Sequence, residues 1–512
     1  VVILVLAGCG PLPDGDPARP DIVLVSIDSL RADHLSGYGY DRRTTPNLDA
    51  LAETGLRFTD ARSASPWTLP SHMTMFTGLW PLQHQVIEDD LALAPSVPVI
   101  AEALQKAGYA TAGFASTIYV GGQYGFSRGF DSYQDYDLTE SVNLAHSVRV
   151  NRVVDDALAW MKGNAAGKPV FLFVHIYDVH YPYLAPEPWD AKFDYAGPVE
   201  ELKYRSYQWF KKHPLGKKRM AHQVAQYDES LAWVDDELGR LMRAWTSSRR
   251  PAWWFVTADH GEEFGERGSW GHAHTLFAEA LHIPLIVAGP GIEPRVRDER
   301  VGTIDLAPTI AAMAGVPWSG GDGVDLRSPV PARTFYAETS RFDTARVSIQ
   351  EGTRRLDVDV GRMKRTLYDL VEDPKEKKPV QGDTSAMEAR LWSQLGADWT
   401  ADGDVSSSGW IVRNGAVFGQ AAPAGSFAVY PIDAAVTSGG VQVSKGVVDA
   451  PAAGPLRYAG AHHSRSLVVS DETRAQLEAL GYVQGEGEGA TEKEPAEKPE
   501  KEPEGEAPTE AP

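Results

Sequence analysis

The sequence predicts an α/β protein: a large, mostly parallel sheet sandwiched by helices, followed by a smaller C-terminal subdomain built on an antiparallel sheet. Three observations carry this. Near-continuous apolar runs of strand length stand at Asp21-Ile-Val-Leu-Val-Ser-Ile27, Val170-Phe-Leu-Phe-Val-His-Ile176 and Ala252-Trp-Trp-Phe-Val-Thr257, as expected of strands buried on both faces. Segments with apolar residues at helical spacing separate them. Beyond about residue 331 the pattern changes to short runs such as Leu356-Asp-Val-Asp-Val360, which alternate with period two.

The elements follow in order. Val1 to Leu6 is apolar, and Leu6-Ala7-Gly8-Cys9 resembles the bacterial lipobox. Residues 1–9 are therefore expected to be the end of a signal peptide, with Cys9 lipidated and attached to the membrane of the cell envelope. Residues 10–20, rich in Pro, Gly and Asp, read as a tether. The catalytic-size domain spans 21–330, with helices expected from Pro46 to Glu53, Pro98 to Ala107 and Ala221 to Thr246. The subdomain spans 331–483. It has strands at Arg333-Thr-Phe-Tyr-Ala337 and Arg346-Val-Ser-Ile-Gln350 and a β-rich insertion at about 400–465. Residues 484–512 form an acidic tail with too little apolar surface to order itself.

Composition narrows the function. At 512 residues and a formal net charge of −21 the chain is a poor partner for nucleic acid. Its single cysteine allows neither an intrachain disulfide nor a thiolate zinc site. No further run of 18 apolar residues is present, so the body is expected to be soluble and outside the cytoplasm.

Chemistry gathers where the apolar runs stop. The first ends at Asp28, the second before Asp178 and His180, and the third before Asp259-His260. In open α/β sheets ligands bind at the carboxyl ends of strands, so three such endings converge in space. Into the same region falls Ser63-Ala-Ser-Pro-Trp-Thr-Leu-Pro-Ser-His72, where Thr68 opens a short apolar helix. That threonine is either a plain cap or a nucleophile.

Asp28-Ser-Leu-Arg-Ala-Asp-His-Leu35 with Gly37-Tyr-Gly39, Thr45-Pro-Asn-Leu-Asp-Ala-Leu51, Thr77-Gly78, Phe173-Val-His175 with Asp178-Val-His180-Tyr-Pro182, and Ala258-Asp-His-Gly-Glu262 resemble the sulfatases of the alkaline phosphatase superfamily. The departures matter. Where a sulfatase has Cys-x-Pro-x-Arg, its Cys oxidised to formylglycine, this chain has Thr68-Leu-Pro-Ser-His72. Ser29 stands where a second Asp is usual, and His260 where Asn is usual.

The resemblance implies a metal set of Asp28, Thr68, Asp259 and His260, like that of superfamily branches with a Ser or Thr nucleophile. Such an oxygen and nitrogen set suits Zn²⁺ or Mn²⁺ better than Ca²⁺. His180 corresponds to a histidine that contacts the substrate anion or protonates the leaving group. His72 would ligate the anion or a second cation. His272, in the place of an anion-binding Lys, would bind substrate or share a second metal with Asp178.

The expected activity is hydrolysis or transfer of a phosphate or sulfate ester, phosphate favoured, on an envelope glycan or lipid headgroup. The alternative is a sulfatase-like lipoprotein that binds an anionic envelope glycan without turnover. Arg31, Asp33 and His34 are expected to order a loop through salt bridges, His274 and His282 to be packed or solvent-facing, and Glu262, Glu263 and Glu266 to form a solvated acidic face.

Overall fold

The strand Asp21–Ile27 is buried along its whole length because it lies inside a nine-stranded sheet. It pairs in parallel with Val170–Ile176 on one side and Ala252–Ala258 on the other. Parallel order continues outward through Ala110–Ala115 and Ser132–Asp135. Beyond Ala252–Ala258 the direction reverses at His282–Ala288, which also pairs antiparallel with Gly55–Arg62. The computed structural model describes residues 19–136, 149–164, 167–193, 207–341, 346–359 and 364–395, with short strands between 411 and 467.

Register decides where the chemistry goes. Ile27 lies opposite both Ile176 and Ala258, so three strands end level. Asp28, the turn carrying His180, and Asp259-His260 therefore emerge along one sheet edge.

The helices supply the covering layers. Lys217–Ser248 buries Tyr227, Leu231, Val234, Leu238 and Leu241, a stripe at three- and four-residue spacing, and runs beyond the expected span at both ends. The helix expected from Pro98 is Ile100–Lys106. Val99 stays extended as its cap, and its N–H donates to Glu102 Oε2. Thr68–Thr77 is buried at every position. It stops at Gly78, whose φ of 68° is a left-handed conformation that a Cβ would strain.

The smaller sheet is the consecutive antiparallel set Phe335–Thr339, Arg346–Glu351, Arg354–Asp359 and Lys364–Asp369. Val347, Ile349, Leu356, Val358 and Leu367 pack there with Met387 and Leu391 of the helix Ser385–Leu395. Between 400 and 465 only short paired strands are described, Ala435–Ser438 with Leu456–Ala459 among them. Cys9 and the segment expected to be a lipobox, most of the expected tether and the acidic tail lie outside the described residues. Among the described residues no helix is long and apolar enough to cross a membrane.

Candidate active site

At the sheet edge, Asp28, Thr68, Asp259 and His260 come together, each at most 1% exposed. Thr68 is the first residue of its helix, and its Oγ1 lies 3.4 Å from Asp28 Oδ2 and 3.4 Å from His260 Nε2. His260 Nε2 lies 3.3 Å from Asp259 Oδ2 and 3.7 Å from Asp28 Oδ1.

Each acid is held by one oxygen and presents the other. Ser29 Oγ donates to Asp28 Oδ1 at 2.8 Å. The N–H groups of Ser29 and His260 donate to Asp259 Oδ1 at 3.2 and 2.8 Å. Ser29 manages both contacts by adopting φ 58°, uncommon for a residue with a side chain. Tyr227 locks that turn, donating to Ser29 O and accepting from the Arg31 N–H.

The histidines follow the same rule. His260 donates Nδ1–H to Gly261 O at 2.9 Å, and His180 donates its own to Tyr181 O at 2.7 Å. His272 Nδ1 pairs with Glu262 Oε1 at 2.8 Å. In all three, Nε2 is the remaining ring nitrogen. The rings cluster, with centroids 4.3 Å apart for His260 and His272 and 4.9 Å for His180 and His272. Burial, and then the neighbouring His260, push His272 well below the usual imidazole range. Burial likewise brings His180 down to about 4.

The donor set fits a divalent cation. Ligands at ~2.1 Å around a tetrahedral ion stand ~3.4 Å apart, close to the separations among Thr68, Asp28, Asp259 and His260. Those separations are at the limit of hydrogen bonding or beyond it. Asp259 Oδ2 is buried with no hydrogen-bond partner. The two carboxylates also oppose each other. Burial and the negative Asp28 drive Asp259 far above its usual range, while contacts with His175, His180 and His260 outweigh burial and hold Asp28 far below it. A cation between them removes that conflict.

Comparison with known proteins places this arrangement. The profile of the family "Sulfatase" matches residues 20–316. The chain belongs to the sulfatase family. A choline-sulfatase of Rhizobium meliloti (strain 1021) is 25% identical over 480 residues, covering 78% of this chain and 93% of the relative. Among solved structures, a phosphonate monoester hydrolase from Silicibacter pomeroyi matches with TM-score 0.60 and 22% identity, covering 74% of this chain and 94% of that one. A protein solved with its substrate D-glucosamine-2-N,6-O-disulfate matches with TM-score 0.60 and 18% identity, covering 74% and 97%. The chain is thus a sulfatase-family ester hydrolase of sulfuric or phosphoric esters, on an alkaline phosphatase-like fold.

Within this sulfatase fold some expectations need correction. Glu262 and Glu263 do not form a solvated face. Both are fully buried, Glu262 against His272 and the Tyr183 hydroxyl, Glu263 against His274 at 3.0 Å. Only Glu266 keeps some exposure, paired with Arg31. Asp178 turns away from the cluster. One oxygen accepts the Val150 N–H at the start of the helix Val150–Asn164, and the other faces Arg149 at 3.6 Å. His72 is fully buried, with Nδ1 2.8 Å from Thr68 O and Nε2 2.9 Å from Ser26 Oγ, so it offers no surface to an incoming anion.

The loop roles of Arg31, Asp33 and His34 match expectation. Arg31 bridges Asp33 and Glu266, and His34 pairs with Asp228. His175, which stands in the Phe173-Val-His175 segment of the family resemblance but carries no expected role there, reaches Asp28 Oδ2 at 3.5 Å.

Proposed function

We propose that this sulfatase-family protein is a metal-dependent ester hydrolase or transferase in which Thr68 is the nucleophile, with phosphoesters preferred to sulfate esters. The observation that carries this is Thr68 Oγ1 at the helix start, 3.4 Å from both Asp28 and His260; the sequence resemblance aligns this residue with the formylglycine cysteine. A free threonine hydroxyl ionises far above neutral pH. Asp28, Asp259 and His260 would hold a Zn²⁺- or Mn²⁺-class ion that lowers that pKa and offsets charge on the ester.

The chain's own groups do the rest. Thr68 Oγ attacks phosphorus, forming a P–O bond as the bond to the leaving alcohol breaks. The threonine proton passes to Nε2 of His272 or His180 and from there to the departing oxygen. Water or an acceptor alcohol then attacks the phospho-threonine and releases Thr68. Glu262 holds the His272 ring with Nε2 as its basic nitrogen.

Sulfate is the poorer fit. Formylglycine hydrate can expel sulfate with its second hydroxyl, whereas a sulfated threonine has no such exit. Similarity to both a choline-sulfatase and a phosphonate monoester hydrolase suits a scaffold that serves both elements. The natural substrate is an ester on an envelope glycan or lipid headgroup, met by a chain anchored through lipidated Cys9.

The test is hydrolysis of matched aryl sulfate, phosphate monoester and phosphate diester with added Mn²⁺, Zn²⁺ or Ca²⁺, for the parent and Thr68→Ala. Phosphoester turnover lost in the variant supports the reading. A sulfate preference overturns the inference from the missing exit, and turnover indifferent to Thr68 overturns the nucleophile.

A further inference from the structure

The four-stranded sheet of the subdomain buries one apolar face and one polar face. Val347, Ile349, Leu356 and Val358 pack on the helix Ser385–Leu395. The alternate positions Ser348, Gln350 and Arg355, 3% to 6% exposed, lie on the opposite side. That side meets the catalytic domain, where Arg355 Nη1 donates to Leu276 O at 2.7 Å. Gln350 stands opposite Arg355 on one neighbouring strand and opposite Phe335 on the other, so these side chains share the face.

Together with Arg62 and Leu276 they wall a cavity of about 10 Å³ between the two domains. It has room for one water-sized or halide-sized ligand and too little for phosphate or sulfate. Its polar groups are donors that lack acceptors. The Arg355 guanidinium is fixed by Leu276 O, by an ion pair of Nε with Glu376 Oε1, and by the rings of Phe277 and Tyr368 at 5.0 and 5.4 Å. Its Nη2 remains buried with no hydrogen-bond partner, and so does Gln350 Nε2. Glu376, the carboxylate on the wall, has both oxygens engaged, Oε1 with Arg355 and Oε2 accepting the Ala278 N–H at 2.9 Å. Buried donors of this kind are costly until something accepts from them.

Charge has the matching sign. Arg62 Nε and Arg300 Nε both pair with the carboxylate of Asp60, at 2.6 and 3.1 Å, so guanidinium charge exceeds carboxylate charge beside the cavity. Asp357, farther along the polar face, is matched by Arg346.

We infer that this cavity is a halide site, in which a chloride ion accepts from Arg355 Nη2 and Gln350 Nε2 at the junction of the two domains. Chloride accepts from every side, whereas a water there also needs acceptors for its own two hydrogens. The ion ties the small sheet to the wall residues Leu276 and Leu281, just beyond the segment that carries His272 and His274. The inference is independent of the proposed metal and nucleophile.

The experiment melts the full-length chain in sodium gluconate and in sodium chloride at equal ionic strength, and locates bromide by anomalous scattering in crystals grown in sodium bromide. Gluconate is too large for the cavity. Gln350→Glu puts a carboxylate where the halide would sit, and Gln350→Leu removes the donor, so either variant cancels the general effects of the two salts. The second carries the comparison if the first does not fold. The expected results are a melting temperature that rises about 2–4 °C more in the parent than in the variants on moving from gluconate to saturating chloride, and a bromide peak between Arg355 and Gln350. A salt response identical in parent and variants overturns the site, and so do crystals with no bromide peak in the cavity.

Discussion

Glu262 Oε1 lies 2.8 Å from His272 Nδ1, with Glu262 fully buried and His272 nearly so. The Tyr183 hydroxyl holds the other oxygen of the same carboxylate at 3.0 Å, and Trp270 Nε1 holds Tyr183 at 3.2 Å. This chain of contacts orients His272 rather than touching substrate. Glu262→Ala is expected to lower kcat ~10- to 100-fold with KM nearly unchanged, and Glu262→Gln, which keeps an acceptor oxygen, to recover part of the loss. Steady-state kinetics beside thermal melts decide it. A fall in melting temperature at unchanged kcat would make the residue purely structural.

Ser29 is expected to govern metal affinity. Its hydroxyl holds Asp28 and its N–H holds Asp259, at a backbone φ of 58°. Ser29→Ala loses the hydroxyl contact and should weaken metal binding ~10-fold or more. Ser29→Gly loses the same contact but relieves the left-handed backbone, so it should bind metal as weakly as Ser29→Ala yet be more stable than it by ~1 kcal/mol. Calorimetric metal titration and denaturant unfolding separate the two effects. Equal stability of the alanine and glycine variants would show that the left-handed backbone stores no strain.

Asp259 should change sign with metal. In stripped protein it sits buried against Asp28, so Asp259→Asn is expected to melt above the stripped parent. In metal the parent gains binding free energy that the variant lacks, ~4 kcal/mol at a ligand concentration a thousandfold above Kd, and the order reverses. Melting curves with chelator and with Zn²⁺ provide the comparison. A variant less stable in both conditions would show that the hydrogen bonds to Asp259 outweigh its repulsion from Asp28.

The framework of the sheet was legible because strands covered on both faces have no polar positions to hide: Asp21–Ile27, Val170–Ile176 and Ala252–Ala258 are apolar almost throughout. Asp28, Thr68, Asp259 and His260 could be found because they stand at the ends of those strands or at a helix start. His175 was harder. It lies inside the strand opposite Ser26, and nothing local distinguishes an imidazole directed at a buried carboxylate from one merely packed. Glu262 and Glu263 were misread for a related reason. A run of acids beside glycines resembles a wet turn, and only the tertiary approach of His272, Tyr183 and His274 makes it an interior network. Asp178 failed in the opposite direction, since the helix it caps begins at Val150, 28 positions earlier in the chain.

A last prediction concerns pH. Asp235 is fully buried and accepts the Asn47 and Leu48 N–H groups at 2.9 Å each, at the start of the helix Pro46–Ala52. Burial outweighs those donors and pushes its carboxyl up to about 6 from 3.8. The folded value lies above the unfolded one, so the folded state binds more protons between them. The sign follows: this group favours the fold most below pH 4, loses that contribution as pH rises through 6, and is level above. Relative to Asp235→Asn, the parent should therefore lose ~1–3 kcal/mol of stability between pH 4 and pH 7. Urea unfolding of both proteins across that range measures it, and other titrating groups cancel in the difference. Parallel stability curves for parent and variant would show that the hydrogen bonds to the Asp235 carboxylate fully offset its burial.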